Sequence, residues 1–427
     1  MRLLLLILSI GSFVIAQDDL NLIDNPLLRT TPSTRPLWTL DIRRDEPVKD
    51  ALGPHIATDG ERIFYLQAEQ VKVVDAETGR QVWAFRIGKW AQLRYASGRL
   101  LAITEQGKVY ALEPTTGRVR WTRVEGSSGG YAVDRNALYI AGSEGLTAIS
   151  LESGRTRWTT RVPYFSPFEP FTVVKNRIFV FTVSGDAMSA QTSMFDVQTG
   201  KHLGEASTRG PLAILNQRMF FRNDWFLIDF PDRVYINVHD LRTGKLLEDR
   251  TYRVENRVEG NNWNSKVAIA GAVYISGGGN IACFPPSTPG GKAKPNFIRV
   301  PRGDVQWLAG PRNGTFLLEW QNNLWLVRQK QQPCTPIVLQ EQGIRLTAGN
   351  LARTDIVKTR TDTIKNGMYI GFENGTFYAV NTKTGEVELK LALRNYTFGP
   401  THVVGNTLVV QTGNELLAFA LPRNLKP

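Results

Sequence analysis

Short apolar runs alternate with polar breaks along nearly the whole chain, with the two-residue period that is typical of β-strands. The segment 60–87, GERIFYLQAEQVKVVDAETGRQVWAFRI, contains three such runs, and HIATD at 55–59 supplies a fourth just before them. The segment 133–162 has the same pattern, and helical periodicity is not found after the first sixteen residues. We therefore expect an all-β protein built from units of four short strands.

A turn signature recurs roughly every 40–45 residues, which is the period of a propeller blade. A glycine follows Thr or Ser, and a residue with a side-chain oxygen stands four positions before the glycine, as Asp75 does in the first copy. Such oxygens accept hydrogen bonds from turn N–H groups, and glycine suits a positive φ. The turn glycines are Gly79, Gly117, Gly154, Gly200, Gly244 and Gly385.

Large aromatic rings accompany the first copies of the turn. Tryptophans stand at Trp38, Trp83, Trp121 and Trp158, where they are suited to packing between neighbouring sheets. Later copies lack this Trp, so their contacts must be built differently. The raw count of outermost strands gives nine, but known closed propellers have about four to eight blades, and we expect eight.

The two ends of the chain are expected to complete one blade together. The segment 401–421 supplies three strands, and RPLWTLDI at 35–42 supplies an isolated fourth. Pairing the first and last strands would close the ring and leave no free sheet edge. We expect a secretory signal peptide at 1–16, a flexible lead-in at 17–34, a single propeller domain at 35–421 and a tail at 422–427.

Composition and charge exclude some classes of site. The net charge is +12, but an exported protein meets little nucleic acid, and dense Lys/Arg runs are missing, so we expect no nucleic-acid partner. After the first sixteen residues the sequence has no apolar segment long enough to span a membrane, so we expect no transmembrane segment in the mature chain. The four histidines are scattered, and Cys283 and Cys334 lack metal or redox spacing, although a disulfide between them is one alternative to two buried thiols. The sequence predicts no catalytic, cofactor-binding or metal-binding residue and no cofactor.

The copies KVVDAETGRQVW, VYALEPTTGRVRW and LTAISLESGRTRW carry a family resemblance. They resemble the PQQ-like, or quinoprotein-type, β-propeller repeat, strongly in the first half of the chain and poorly at 260–345. Length and single-domain layout are similar to the BamB-like, non-enzymatic branch. That resemblance implies an exported scaffold that binds envelope proteins as a monomer, in the periplasm or at the cell envelope, with outer-membrane protein assembly as one such role.

The same resemblance includes an enzymatic branch. Quinoprotein dehydrogenases bind pyrroloquinoline quinone and calcium on the propeller axis, and many have a disulfide between adjacent cysteines against the cofactor. Here the cysteines are not adjacent, and the carboxylates that could be offered to calcium, Asp186, Asp304 and Asp362, each read as turn residues. A dehydrogenase and a binder of cell-wall polymers stay open as alternative functions.

Candidate binding segments are those that break the repeat. The connection 161–171, RVPYFSPFEPF, is rich in aromatic residues, which are enriched at interaction cores. The segment 344–367 is longer than a connection between blades needs, and it is basic. The partner-binding candidates are Tyr164, Phe165, Phe168 and Phe171 in the first segment and Arg353, Lys358 and Arg360 in the second.

Overall fold

A computed structural model gives the fold of the chain. It describes residues 35–42 and 56–426 apart from short gaps. The gaps are at 68, 89–90, 126–129, 143–144, 163–170, 184–189, 207–210, 224–232, 254–265, 278–279, 285–297, 300–304, 322, 330–333, 340–342, 346–359, 373–374, 394–397 and 414.

Most repeats fold as an antiparallel sheet in which each strand pairs with the next in sequence. The exceptions are the blade within 305–345, whose third strand skips one strand, and the last blade, which takes a strand from the start of the chain. In the first sheet, the turn between the third and fourth strands has Gly79 at φ +68°, the left-handed region that glycine tolerates best. The central strands of this sheet are buried on both faces, because each sheet lies between two others. The fourth strand, Gln81–Arg86, is the outer one and is largely exposed.

The first five blades have four strands each. Blade 1 contains β2 (Ile56–Thr58), β3 (Arg62–Gln67), β4 (Gln70–Asp75) and β5 (Gln81–Arg86); blade 2 contains β6 (Ala91–Ala96), β7 (Arg99–Thr104), β8 (Lys108–Leu112) and β9 (Val119–Val124); blade 3 contains β10 (Gly130–Val133), β11 (Ala137–Gly142), β12 (Gly145–Ser150) and β13 (Thr156–Thr160); blade 4 contains β14 (Thr172–Val174), β15 (Arg177–Val183), β16 (Ala190–Asp196) and β17 (His202–Ala206); blade 5 contains β18 (Ala213–Leu215), β19 (Arg218–Asn223), β20 (Arg233–Asp240) and β21 (Leu246–Arg253).

The second half is less regular. Blade 6 contains β22 (Val267–Ile269), β23 (Val273–Gly277) and β24 (Asn280–Phe284), and β25 (Ile298–Arg299) and β29 (Ile337–Val338) form a separate parallel pair; blade 7 contains β26 (Val305–Arg312), β27 (Thr315–Trp320), β28 (Asn323–Arg328) and β30 (Gly343–Arg345); blade 8 contains β31 (Arg360–Ile364), β32 (Gly367–Gly371), β33 (Thr376–Asn381) and β34 (Val387–Ala392); blade 9 contains β35 (Phe398–Val404), β36 (Thr407–Thr412), β37 (Glu415–Ala420) and β1 (Trp38–Asp41). A 3₁₀ helix, Arg423–Leu425, follows.

The blade number is nine, as the raw repeat count allows, in place of the eight that we expected. Among the described residues, eight blades have four strands and blade 6 has three. Eight was expected because known closed propellers have about four to eight blades. The two least certain units of the count, in the poorly repeating segment 260–345, form blades 6 and 7. The expected all-β propeller is confirmed, and among the described residues no helix is long and apolar enough to cross a membrane.

The ring closes as the sequence predicts. Strand β1 pairs antiparallel with β37, with Trp38 opposite Ala418 and Asp41 opposite Glu415. The ends of the chain therefore share blade 9, and the last sheet takes its outer strand from the start of the domain.

Apolar side chains fill each space between consecutive blades. Nine clusters of buried residues are found among the described residues, and each joins one blade to the next, from blades 1 and 2 round to blades 9 and 1. The core is consequently a ring of interfaces, and burial of apolar area between sheets is its main source of stability.

A polar contact accompanies the apolar packing at the first four of the turns. The ring of Trp121, on the outer strand of blade 2, lies where a Cβ on Gly154 would be, at 2.8 Å. Its Nε1–H donates to the carbonyl oxygen of Leu151 at 2.9 Å, in the turn of blade 3. We call this contact the turn lock. The same bond joins Trp38 to Ala76 at 3.0 Å, Trp83 to Pro114 at 2.8 Å and Trp158 to Val197 at 3.1 Å.

Where the tryptophan is missing, another donor reaches the equivalent carbonyl. In blade 5 the turn carbonyl of Leu241 accepts from Nε of Arg177, on the second strand of blade 4, at 2.6 Å. In blade 8 the carbonyl of Thr382 accepts from the hydroxyl of Thr315, in blade 7, at 2.7 Å. The lock is thus preserved by residues that are not in the tryptophan column.

A disulfide joins blades 6 and 7, where the repeat is weakest. Cys283 lies in β24, Cys334 follows β28, and their Cα atoms are 5.1 Å apart. Nearby, the hydroxyl of Tyr274 donates to Oε1 of Gln329 at 2.7 Å. The sequence left bonded and free thiols open, and the structure has the bonded pair.

The turn lock can be tested with a pair of glycine variants. Gly154 and Gly98 both have positive φ, but a Cβ at Gly98 would meet nothing within 4 Å. Both Gly154→Ala and Gly98→Ala incur backbone strain, whereas only Gly154→Ala also displaces the Trp121 ring. We expect Gly154→Ala to lower the free energy of unfolding by about 1–3 kcal/mol more than Gly98→Ala does, as measured by urea denaturation. Equal losses would contradict the lock.

The disulfide should stabilise the fold by restricting the unfolded chain. It closes a loop between residues 51 positions apart, and bonds of this kind typically contribute about 2–4 kcal/mol. We expect the double variant Cys283→Ser, Cys334→Ser to lose about that much unfolding free energy. A reductant should destabilise the parent protein and leave the double variant unchanged, and an equal response of the two would count against the bond.

Candidate functional site

The third-to-fourth-strand turns of the blades lie on one face of the ring, together with the turns between first and second strands. We call this the turn face. In blade 1, Oδ1 of Asp75 accepts from the backbone N–H of Thr78 at 2.8 Å and from its hydroxyl at 2.7 Å. Asp196 and Asp240 bind Thr199 and Thr243 in the same way. These carboxylates build the turns.

Hydrogen bonding also shifts the titration of the turn acids. The hydroxyl of Thr78, followed by its backbone N–H, lowers the pKa of Asp75, and Thr243 does the same for Asp240. In blade 2 the guanidinium of Arg120 and then the Thr116 hydroxyl lower the pKa of Glu113. All three acids favour the charged form that the turn needs.

Basic side chains follow the turn glycines on this face. Each is exposed, so the face presents a cation after every one of the first five turns. The turn acids partly offset this charge. The basic residues are Arg80, Arg118, Arg155, Lys201 and Lys245.

A cleft of about 580 Å³ opens on the turn face between blades 2 and 3. It lies between the hairpin of β6 and β7, the hairpin of β10 and β11, and the turn after β12. The hydroxyl of Ser97 donates to the carbonyl of Arg135 and so ties the two hairpins together. The cleft is lined by Ser97, Arg99, Arg135, Asn136, Ser150, Leu151, Glu152 and Arg157.

Sequence reasoning missed this cleft, although a signal exists. Ser150 occupies a column in which four of the six copies have Asp or Glu, and Arg157 stands seven residues further on. A neutral residue in an acidic column beside arginines leaves positive charge unbalanced. That signal gains meaning only when the packing of blade 2 against blade 3 brings Arg99 and Arg135 to the same cleft.

The two predicted binding residues that the structure describes differ in their surroundings. Phe171 is 5% exposed and packs in the core between blades 3 and 4, so this ring serves the core and does not present a surface. Arg360 is exposed on β31, where its guanidinium binds the carboxylate of Asp362 at 3.0 Å and 3.2 Å. The other candidates, Tyr164, Phe165, Phe168, Arg353 and Lys358, lie outside the described residues.

One of the three acids considered for calcium lies among the described residues. This acid, Asp362, already accepts from Arg360 and from the backbone N–H of Thr401 at 2.8 Å, so its charge is balanced. Asp186 and Asp304 lie outside the described part. The Cys283–Cys334 bond belongs to the core between blades 6 and 7, and groups of three or more potential metal ligands are not found among the described residues.

A family model described as outer membrane protein assembly factor BamB matches residues 29–128 and 105–310, which is more than half of the chain. This chain belongs to that PQQ-like β-propeller family. The match includes the five turn glycines of blades 1–5 and the four tryptophans of the turn lock. A comparison with curated proteins gives no match.

Solved structures are similar at low identity. BamB from Moraxella catarrhalis is 12% identical, with a TM-score of 0.48, and the alignment covers 91% of this chain and 100% of that one. Quinohemoprotein alcohol dehydrogenase from Comamonas testosteroni is 12% identical, with a TM-score of 0.49, and the alignment covers 91% of this chain and 76% of that one. Apo AztD from Citrobacter koseri is 13% identical, with a TM-score of 0.42, and the alignment covers 83% of this chain and 96% of that one.

Lowered pKa values make the turns sensitive to acid. Because the folded-state pKa of Asp75 lies below its unfolded value of about 3.9, its contribution to stability is present above that value and is lost as the pH falls through the folded pKa. We expect the unfolding free energy of the parent to fall more steeply below about pH 4 than that of Asp75→Asn, as measured by urea denaturation.

The matched control is Glu77→Gln in the same turn, because the Glu77 side chain makes no hydrogen bond to another described residue. This control should follow the parent profile. An Asp75→Asn profile as steep as the parent profile would contradict the assignment of this carboxylate.

Proposed function

We propose that the protein is an exported scaffold that binds protein partners at the cell envelope and contributes to the assembly of outer-membrane proteins. The observation that carries this proposal is the match over residues 29–310 to the family described as an outer membrane protein assembly factor. A closed propeller supports such a role because it holds many turns rigidly on one face, and loops on a rigid frame are common binding elements.

Two features support export. The first sixteen residues have the pattern of a secretory signal peptide, and Cys283 is bonded to Cys334. Disulfides persist in oxidising compartments such as the periplasm and are rare where thiols are kept reduced. Envelope partners are therefore the class of protein that the scaffold would meet.

Partner capture and deletion test the proposal together. A C-terminally tagged chain, cross-linked in its own host, should enrich specific envelope proteins over an equally tagged unrelated exported protein. Deleting the gene should lower the level of outer-membrane β-barrel proteins. If neither change is seen, the proposal fails, and salt-sensitive retention on cell-wall sacculi would favour the polymer-binding alternative.

The repeat-breaking segments are proposed to hold part of the partner surface. We expect each of two triple variants to reduce capture of partners while thermal stability stays unchanged. The first combines Tyr164→Ser, Phe165→Ser and Phe168→Ser, and the second combines Arg353→Gln, Lys358→Gln and Arg360→Gln. The control is Val124→Ser, which alters an exposed apolar residue on the outer strand β9. Full capture by both triple variants would remove these segments from the proposal.

A further inference from the structure

The lining of the cleft between blades 2 and 3 has an excess of positive charge. Its lining contains three arginines against one glutamate, a formal charge of +2. Among the described residues, Arg99, Arg135 and Arg157 make no salt bridge. Uncompensated guanidinium groups at a concave surface are suited to binding carboxylates.

Among the described arginines that begin a second strand, only Arg99 lacks a carboxylate partner. Arg99 begins the second strand of its blade, as Arg62, Arg177 and Arg218 do in blades 1, 4 and 5. Each of those three is bound by a carboxylate: Asp59 at 2.6 Å, Asp196 at 3.0 Å and Glu248 at 2.6 Å.

Arg99 has no such carboxylate because the local acid is used elsewhere. The turn acid of its own blade, Glu113, is bound by Arg120 at 2.6 Å and by the Thr116 hydroxyl at 3.0 Å. The only hydrogen bond that Arg99 makes within the described residues is from Nη1 to the carbonyl of Gly98, and its Nε is buried without an acceptor. The guanidinium of Arg99 therefore keeps hydrogen-bonding capacity that no described residue fills.

Blade 3, on the other side of the cleft, has no acid at the position of the turn acid. In blades 1, 4 and 5 the turn acid pairs across the sheet with the arginine of the second strand, as Asp75 does with Arg62. In blade 3 those two positions are Ser150 and Ala137. Ser150 therefore leaves the blade-3 side of the cleft without the carboxylate that the repeat elsewhere supplies.

We propose that this cleft binds the carboxylate side chains of an acidic peptide segment in a protein partner. The volume of about 580 Å³ lies in the range of sites for ligands much larger than a single inorganic anion. The three arginines lie on three separate segments, β7, the β10–β11 turn and β13, so a chain with several spaced carboxylates can engage all of them. The inference rests on the proposed scaffold function and specifies one surface for it.

The decisive variant restores the acid of the repeat. Ser150→Asp places the usual turn carboxylate beside the arginines, so it should preserve the turn and occupy the guanidinium groups from within. The matched control is Ser150→Asn, because Asn381 builds the equivalent turn of blade 8 through its Oδ1. We expect fluorescein-labelled octaglutamate to bind the full chain, and Ser150→Asp to weaken binding at least tenfold while Ser150→Asn leaves it unchanged.

Arginine variants check the other side of the contact. Arg99→Gln and Arg157→Gln should each weaken octaglutamate binding roughly tenfold or more. Arg80→Gln removes the same charge from the same face outside the cleft and should leave binding almost unchanged. Thermal denaturation of every variant distinguishes loss of binding from loss of folding.

Several results would overturn the inference. The first is that octaglutamate binds no more tightly than octaglutamine. The second is that Arg80→Gln and Arg99→Gln weaken octaglutamate binding equally. The third is that pyrophosphate binds saturably while octaglutamate does not bind. If envelope proteins are captured equally well by Ser150→Asp, the cleft fails and the scaffold stands. If octaglutamate binds at the cleft but no envelope protein is captured, the scaffold proposal fails and the cleft stands.

Discussion

A donor from one blade to the turn carbonyl of the next is the contact on which the ring depends. Apolar burial drives the sheets together, but it does not fix their relative height, because apolar contacts are non-directional. A hydrogen bond to one carbonyl does. Trp121 shows the geometry most simply, since its ring covers Gly154 and its Nε1–H reaches Leu151. The turn must have glycine for its φ and also for the space that the ring occupies.

The lock is conserved in geometry rather than in residue type. Arg177 and Thr315 supply the donor where the tryptophan is missing, and each does so from the start of the second strand of its blade. The repeat pattern in the sequence does not connect that position to the turn. Between blades 6 and 7 the disulfide and the Tyr274–Gln329 bond link the sheets where no turn glycine is present. Within the described part of the chain, seven of the nine interfaces thus have a directional contact suited to their own sequence.

This distribution explains what the sequence could and could not predict. The turn glycines, the tryptophan column and the closure of the ring depend on local spacing, so they are readable from one chain. The raw count of outermost strands gave nine, but we expected eight because known closed propellers have about four to eight blades. Phe171 was placed at the surface because an aromatic residue beside prolines looks the same in sequence whether it faces outward or into the core. The cleft was missed because it depends on Ser150, Arg99 and Arg135 meeting across two sheets.

The acidic column of the repeat also explains why departures from it matter. An acid at the turn can do two tasks: Asp196 binds the turn N–H groups and, through strand pairing, neutralises Arg177 on the second strand. In blades 1 and 5 the turn acid does the first task, and the second-strand arginine is bound by Asp59 or Glu248. A serine can do only the first, and Ser150 does it weakly, accepting from the N–H of Ser153 at 3.3 Å. With serine in place of the acid at position 150 the turn is preserved, but the positive charge of the arginines in the cleft is left unbalanced. In a fold whose repeats are otherwise used for architecture, such an unbalanced position is where binding specificity can arise without disturbing the ring.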